Sequence, residues 1–215
     1  MRLWLIRHGE TEHNIKRVFQ GQLDTPLTAT GVRQARLTAV ALGGVAFQQL
    51  YSSDLRRAYD TAGPIAHGQG IPIVGDARLR ELHYGVLQGV AYTEFRSVLE
   101  AHGAAEAWGG GVFSLDGNAP PGGESLADLV ARTTEFVSDV ARAASDNDDL
   151  AIVTHGGTIR TIMTELLGLP PSSRSAFALA NCGVTCFSGG VGAWQLEFHN
   201  RVFWGDGLEQ AHSTV

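Results

Sequence analysis

Three short apolar runs mark the chain, and each ends at a polar group. Leu3, Trp4, Leu5 and Ile6 end at Arg7, residues 47–52 end before Ser53, and residues 150–154 end at His155. Runs of this length predict strands, buried on both faces as in a parallel sheet. Between them the apolar spacing turns helical. Ala35, Ala39 and Leu42 share one face of a helix predicted over 32–42. A second helix is predicted from Leu55, with Ser53 or Asp54 as its N-cap and with Pro64 ending or kinking it near Gly63. Residues 91–102 read as helical. Glu124 and Ser125 open a long helix to about 144, with Leu126, Leu129, Val130, Thr133 and Val137 on one face. Another helix follows Gly156 and Gly157 to about 167, where Gly168 and Pro170 stop it. Residues 71–74 predict a short strand that Pro72 places at an edge. Residues 184–188 and 193–199 predict two late strands joined by a turn at Gly189 and Gly190. The Gly-, Ala- and Pro-rich stretch 103–123 reads as irregular, and the tail after Arg201 carries no signal.

Strands alternating with helices predict a three-layer α/β/α sandwich with a mostly parallel central sheet, built as a single domain over 1–215. In such sheets ligands bind beyond the carboxyl ends of the strands. Arg7, His8 and His155 all stand there, and they share one edge if their strands are neighbours.

Composition narrows the chemistry. At 215 residues with 44% hydrophobic and 18% charged content, the chain reads as soluble and globular. A formal net charge of −6 argues against non-specific nucleic-acid binding, which needs a basic surface. Lys16 is the one lysine, so the positive charge is nearly all arginine, whose planar fork suits phosphate. On one extended strand, Cys182 and Cys186 would stand about 13 Å apart, too far for a disulfide. They read as reduced core residues and suggest a cytoplasmic protein. No apolar run approaches the ~20 residues that cross a membrane, and none reads as a signal peptide.

The segment Arg7, His8, Gly9 is weak evidence alone. A neutral imidazole can attack phosphorus and carry the phosphoryl group, an adjacent arginine can hold its oxygens, and a glycine lets backbone N–H approach them. The segment is followed in order by Glu10, Thr11 and Asn14; by Phe19, Gln20, Gly21, Gln22, Leu23, Asp24, Thr25 and Pro26; by Gly31 and Gln34; by Ser52, Ser53, Asp54, Leu55, Arg56, Arg57 and Ala58; by Leu79, Arg80, Glu81 and Leu82; by Pro121, Gly122, Gly123, Glu124 and Ser125; and by Thr154, His155, Gly156 and Gly157. This series resembles the histidine phosphatase superfamily, the phosphoglycerate mutase-like proteins, from Met1 to about Cys186. The resemblance implies that His8 is the phosphorylated nucleophile, that Arg7 and Arg57 grip the phosphate, and that His155 donates a hydrogen bond to the transferring group. It implies that Glu81 protonates the leaving oxygen, for which it would have to be partly desolvated. Read from the residues alone, Glu81 would instead suit a surface salt bridge with Arg78 or Arg80. Asn14, Gln20, Gly21 and Gly156 match substrate-binding positions, Gly21 through its backbone N–H. The implied chemistry calls for no metal or other cofactor, because arginines supply the charge. The expected partner is a small phosphate ester, and a homodimer stays open.

Two activities divide that family, ester hydrolysis and phosphoglycerate isomerisation. Glu81, Leu82, His83, Tyr84 and Gly85 resemble a mutase stretch, but Leu82 stands where mutases keep an arginine. Val90 and Ala91 replace an Asn-Lys pair, Gly109 and Gly110 replace two arginines after Trp108, and Gly157 replaces an asparagine. A second anion site then reads as empty or apolar, so water is expected to discharge His8. The expectation is a phosphomonoesterase acting on a small metabolite, with a cofactor-dependent phosphoglycerate mutase as the alternative. A lid is expected within 91–123.

Overall fold

Alternation along the first strand sets the layers. In β1 (Arg2–Arg7), Leu3 and Leu5 face one side of the sheet while Trp4 and Ile6 face the other, and all four are buried. The computed structural model describes residues 1–106, 119–190 and 192–204. After β1 come α1 (Glu12–Lys16), α2 (Ala29–Ala41), β2 (Gln49–Ser52), α3 (Arg56–Gln69), β3 (Ile73–Gly75) and α4 (Phe95–Ala101). They are followed by α5 (Leu126–Ala143), β4 (Asp149–Thr154), α6 (Gly156–Leu166), β5 (Val184–Gly190) and β6 (Ala193–Arg201). The six strands form one sheet in the order β3-β2-β4-β1-β5-β6. The first four are mutually parallel; β5 and β6 add an antiparallel pair.

Leu3 and Leu5 join Leu150 and Ile152 under Phe136 and Val140 of α5 and Ile159 and Ile162 of α6. Trp4 and Ile6 join Ala151 and Val153 under Ala58, Ala62 and Ile65 of α3. Helices therefore cover both faces, as a parallel sheet requires. A smaller cluster around Phe19, Leu82, Leu87, Leu99 and Leu129 anchors the excursion between β3 and α5.

Several boundaries differ from the sequence reading. Helix α2 begins at Ala29, not 32, with Thr28 capping it through the N–H of Gly31 (3.0 Å). Gly31 is no breaker there, because a Cβ on it would meet the carbonyl oxygen of Glu10 at 2.2 Å. Neither Ser53 nor Asp54 caps α3; Leu55 holds that position, and the helix runs through Pro64 to Gln69. Ile65 packs on the same buried face as Ala58 and Ala62, so tertiary contact outweighs one lost backbone bond. The helix expected over 91–102 shortens to α4, and β5 continues through Gly189 and Gly190. Cys182 lies in the turn before β5 at φ +53°, not on the strand. Both thiols are free and buried, and burial pushes each up to about 12. Trp204, in the tail that carried no signal, is buried and donates Nε1–H to the Asn181 carbonyl (3.0 Å). Trp108, Gly109, Gly110 and the rest of residues 107–118, the middle of the expected lid, lie outside the described residues. Among the described residues no helix is long and apolar enough to cross a membrane.

Candidate active site

Strands β1 and β4 are neighbours, with Arg7 paired to Thr154, so the next residues, His8 and His155, emerge side by side. Their rings lie 5.2 Å apart between centroids, His8 3% exposed and His155 fully buried. The carboxyl end of β2 leads to Ser53 and, at the start of α3, to Arg57; the segment after β3 leads to Glu81. Four adjacent parallel strands thus deliver the site to one edge of the sheet.

His8 Nδ1 lies 2.7 Å from the carbonyl oxygen of Gly9. A carbonyl only accepts, so Nδ1 carries the proton and Nε2 keeps its lone pair. Burial, reinforced by the charges of Arg57 and Arg7, holds this imidazole well below the usual histidine range. It is neutral at physiological pH. The sequence reading gave Gly9 a role in backbone approach to phosphate. Instead its N–H donates to Thr61 Oγ1 (3.0 Å), and a Cβ there would meet the Gly31 carbonyl oxygen at 2.6 Å. The glycine welds the strand end to α2.

Arg57 is buried in α3. Its Nη1 and Nη2 donate to the carbonyls of Leu23 (2.8 Å) and Gly21 (2.7 Å), while its Nε makes no hydrogen bond among the described residues. Burial lowers it to about 10, and lowers Arg7, whose Nη1 donates to the Leu179 carbonyl, to the same value. Neighbouring Arg56 is exposed and pairs with Asp60 (3.3 Å). His155 Nε2 lies 2.8 Å from Ser53 Oγ; its buried Nδ1 has no partner among the described residues. Burial and Arg57 keep His155 neutral too.

Glu81 is half-buried, and its carboxylate accepts from the backbone N–H of Gly157 and of Leu82, both at 2.9 Å. The alternative of a salt bridge with Arg78 or Arg80 is not what forms: Arg78 pairs with Asp76 and Asp139, Arg80 with Asp54. A Cβ on Gly157 would stand 2.3 Å from Glu81 Oε1. The backbone leading to Glu81 is held by side chains. Arg132 of α5 donates to the carbonyls of Arg78 (2.7 Å), Arg80 (2.7 Å) and Glu81 (3.0 Å), and Thr154 Oγ1 donates to that of Leu79 (2.6 Å). Glu124 pairs with Arg132 (2.9 Å) and accepts from the N–H of His83 (2.9 Å).

Asn14 completes the capping box of α1 with Thr11. Its Oδ1 accepts from the N–H of Thr11 (3.1 Å) and from Asn181 Nδ2 (3.2 Å), which also reaches the His8 carbonyl (3.0 Å). With Oδ1 so committed, the amide nitrogen is what Asn14 can offer a ligand. Gln20 Oε1 lies near the hydroxyls of Thr11 (3.0 Å) and Thr25 (2.8 Å). Gly21, at φ +52°, turns its carbonyl to Arg57. Gly156 begins α6 beside Arg7. Among the described residues no group of three or more His, Cys, Asp or Glu is placed to hold a metal. Sequence reasoning had not assigned Ser53 to His155, nor Asn181, Arg132 and Glu124 to any part in the site. Their signal is spatial, since each acts on a residue more than a strand away in sequence, apart from the Arg132–Glu124 pair.

A neutral imidazole between buried arginines, at the carboxyl edge of a parallel sheet, defines a site for an anionic, phosphate-like group. Residues 3–202 match the sequence profile of the histidine phosphatase superfamily, branch 1, and the chain belongs to that family. It is 37% identical to the glucosyl-3-phosphoglycerate phosphatase of Mycobacterium tuberculosis, covering 87% of this chain and 85% of that one. It is 36% identical to a Yersinia enterocolitica protein named probable phosphoglycerate mutase GpmB, covering 86% and 83%. Among solved structures, a mycobacterial glucosyl-3-phosphoglycerate phosphatase superposes with a TM-score of 0.78 at 35% identity, covering 93% of this chain and 98% of that one. The α-ribazole phosphatase of Shigella flexneri gives 0.80 at 25% identity, covering 94% and 96%.

Proposed function

We propose that the chain is a phosphomonoesterase for a small phosphorylated metabolite, working through phosphohistidine at His8. The observation that carries this reading is the Nδ1 contact of His8 with the Gly9 carbonyl, which aims a neutral Nε2 lone pair from a pocket of buried arginines. A phosphomonoester dianion repels nucleophiles, so its charge must be met before attack. Arg7 and Arg57 meet it, and neutral His155 donates a hydrogen bond to the transferring group. Nε2 forms the N–P bond as the ester P–O bond breaks, and Glu81 gives its proton to the departing alkoxide. Water then forms a P–O bond as the N–P bond breaks, returning a proton to Glu81 and releasing inorganic phosphate. Asn14, Gln20, and the backbone N–H groups of Gly21 and Gly156 hold the remaining oxygens.

Phosphatase relatives named for glucosyl-3-phosphoglycerate and α-ribazole phosphate support a small ester as substrate. The mutase alternative is weakened by Leu82, fully buried and apolar where mutases keep an arginine. The test is a panel of phosphomonoesters assayed with the unaltered protein and with His8→Ala. Release should drop by at least about 10³-fold in the variant, and an acid-labile phosphoenzyme should be trapped only in the unaltered protein. Turnover that survives His8→Ala overturns the mechanism. Phosphoglycerate isomerisation outrunning phosphate release would favour the mutase.

A further inference from the structure

Arg160 is a guanidinium with no acid bound to it among the described residues. It lies one turn into α6, on the side of Gly156, half-buried. Its Nε donates to the Phe177 carbonyl (2.9 Å), and among the described residues no carboxylate forms an ion pair with it. Its Nη1 stands 3.8 Å from the point a Gly156 Cβ would occupy, and Arg7 Nε stands 3.6 Å from the same point. Two arginines therefore converge on the glycine that follows His155. Burial lowers Arg160, and its charge in turn helps to lower Arg7. Glu81, the acid whose charge reaches it, has its oxygens held by the N–H groups of Gly157 and Leu82. Arg174, buried nearby, donates Nη2 to the Gly157 carbonyl (3.2 Å) and adds a cation on the same side.

Holding a half-buried guanidinium against a second cation costs free energy that one carbonyl contact does not offset. Among the described residues no carboxylate pairs with Arg160 to offset it, and a ligand can supply one. With Nε tied to Phe177, the two Nη groups remain as parallel donors, and that geometry matches a carboxylate.

We propose that Arg160 forms a second anion subsite beside the phosphate pocket, and that the substrate's alcohol portion carries a carboxylate close to the ester oxygen. This rests on the phosphatase reading of the site. It also alters the expectation that the second site is empty or apolar: the positions matched to mutases lack cations, but α6 supplies one from elsewhere.

Matched esters test it. Glycerol 3-phosphate and 3-phosphoglycerate differ chiefly in a hydroxymethyl against a carboxylate, as do 2-hydroxyethyl phosphate and phosphoglycolate. The unaltered protein should prefer the carboxylated member of each pair in kcat/KM, and Arg160→Met should shrink that preference by about 10- to 100-fold, the effect of losing a charge-assisted hydrogen bond. Arg160→Lys should restore part of it. Equal turnover of both members in the unaltered protein overturns the subsite, as does an unchanged preference in Arg160→Met. Calorimetric titration of His8→Ala with the same pairs reads the preference without turnover. A carboxylate preference in binding with no hydrolysis by the unaltered protein would sink the phosphatase reading and keep the subsite. Hydrolysis with no preference in binding would do the reverse.

Discussion

Gly157 and the Glu81 carboxylate occupy neighbouring space that a single added methyl group would contest. The contact at 2.3 Å is with the far end of a flexible side chain, so Gly157→Ala can be relieved by moving Glu81 rather than backbone. The expected outcome is a protein that melts within a few degrees of the unaltered one yet no longer positions Glu81, the proposed acid. Its kcat should fall about 10²-fold or more, the usual worth of a placed general acid, and should match that of Glu81→Gln. A Gly157→Ala enzyme with full kcat would show that Glu81 works from another position. His8 illustrates the same economy of means: one carbonyl fixes its tautomer, and burial keeps it uncharged.

At the scale of elements, the clamp from α5 onto 78–81 is the feature with most to test. Arg132→Met keeps the apolar stem, removes the donors to three carbonyls and strands Glu124. Stability should fall by about 2 kcal/mol, in the range for unsatisfied buried partners. Because Glu81 loosens, kcat should drop about 10- to 100-fold, and Arg132→Lys, reaching one acceptor rather than several, should recover only part. Urea titration and initial rates on one ester check both. Elements were legible wherever periodicity and capping agreed, as for α5, whose Ser125 and Asp128 form a capping box. They were misread where a distant contact decides. Gly31 reads as standing before its helix until it is seen against the backbone of Glu10, and Pro64 looks like a break until Ile65 is seen in the core.

For the molecule as a whole, two buried neutral histidines set the acid response. His8 and His155 sit well below their unfolded value of about 6.5. Above that pH both states hold the rings neutral, and the contribution is full. As pH falls below it, the unfolded chain takes up protons that the native protein refuses, so stability declines toward the folded values, by about 1.4 kcal/mol per pH unit for each ring. Between pH 6.5 and 5 the denaturant midpoint should fall, and His155→Asn should show a shallower fall; an equal slope would mean that His155 titrates inside the fold. The residues of the site were legible in their motif contexts. Their meeting was not, because it depends on β1 and β4 being neighbours and on which strand ends share an edge. Arg160 escaped because its reading depends on which acids stand near it in space, and among the described residues none pairs with it. The clamp has one more consequence. It grips main-chain carbonyls, so the side chains of Arg78 and Arg80 take no part in it and pair instead with Asp76, Asp139 and Asp54. Natural variants should therefore change residues 78 and 80 together with their acidic partners while Glu81 stays where it is, giving lineages a rim they can restyle around an unmoved acid.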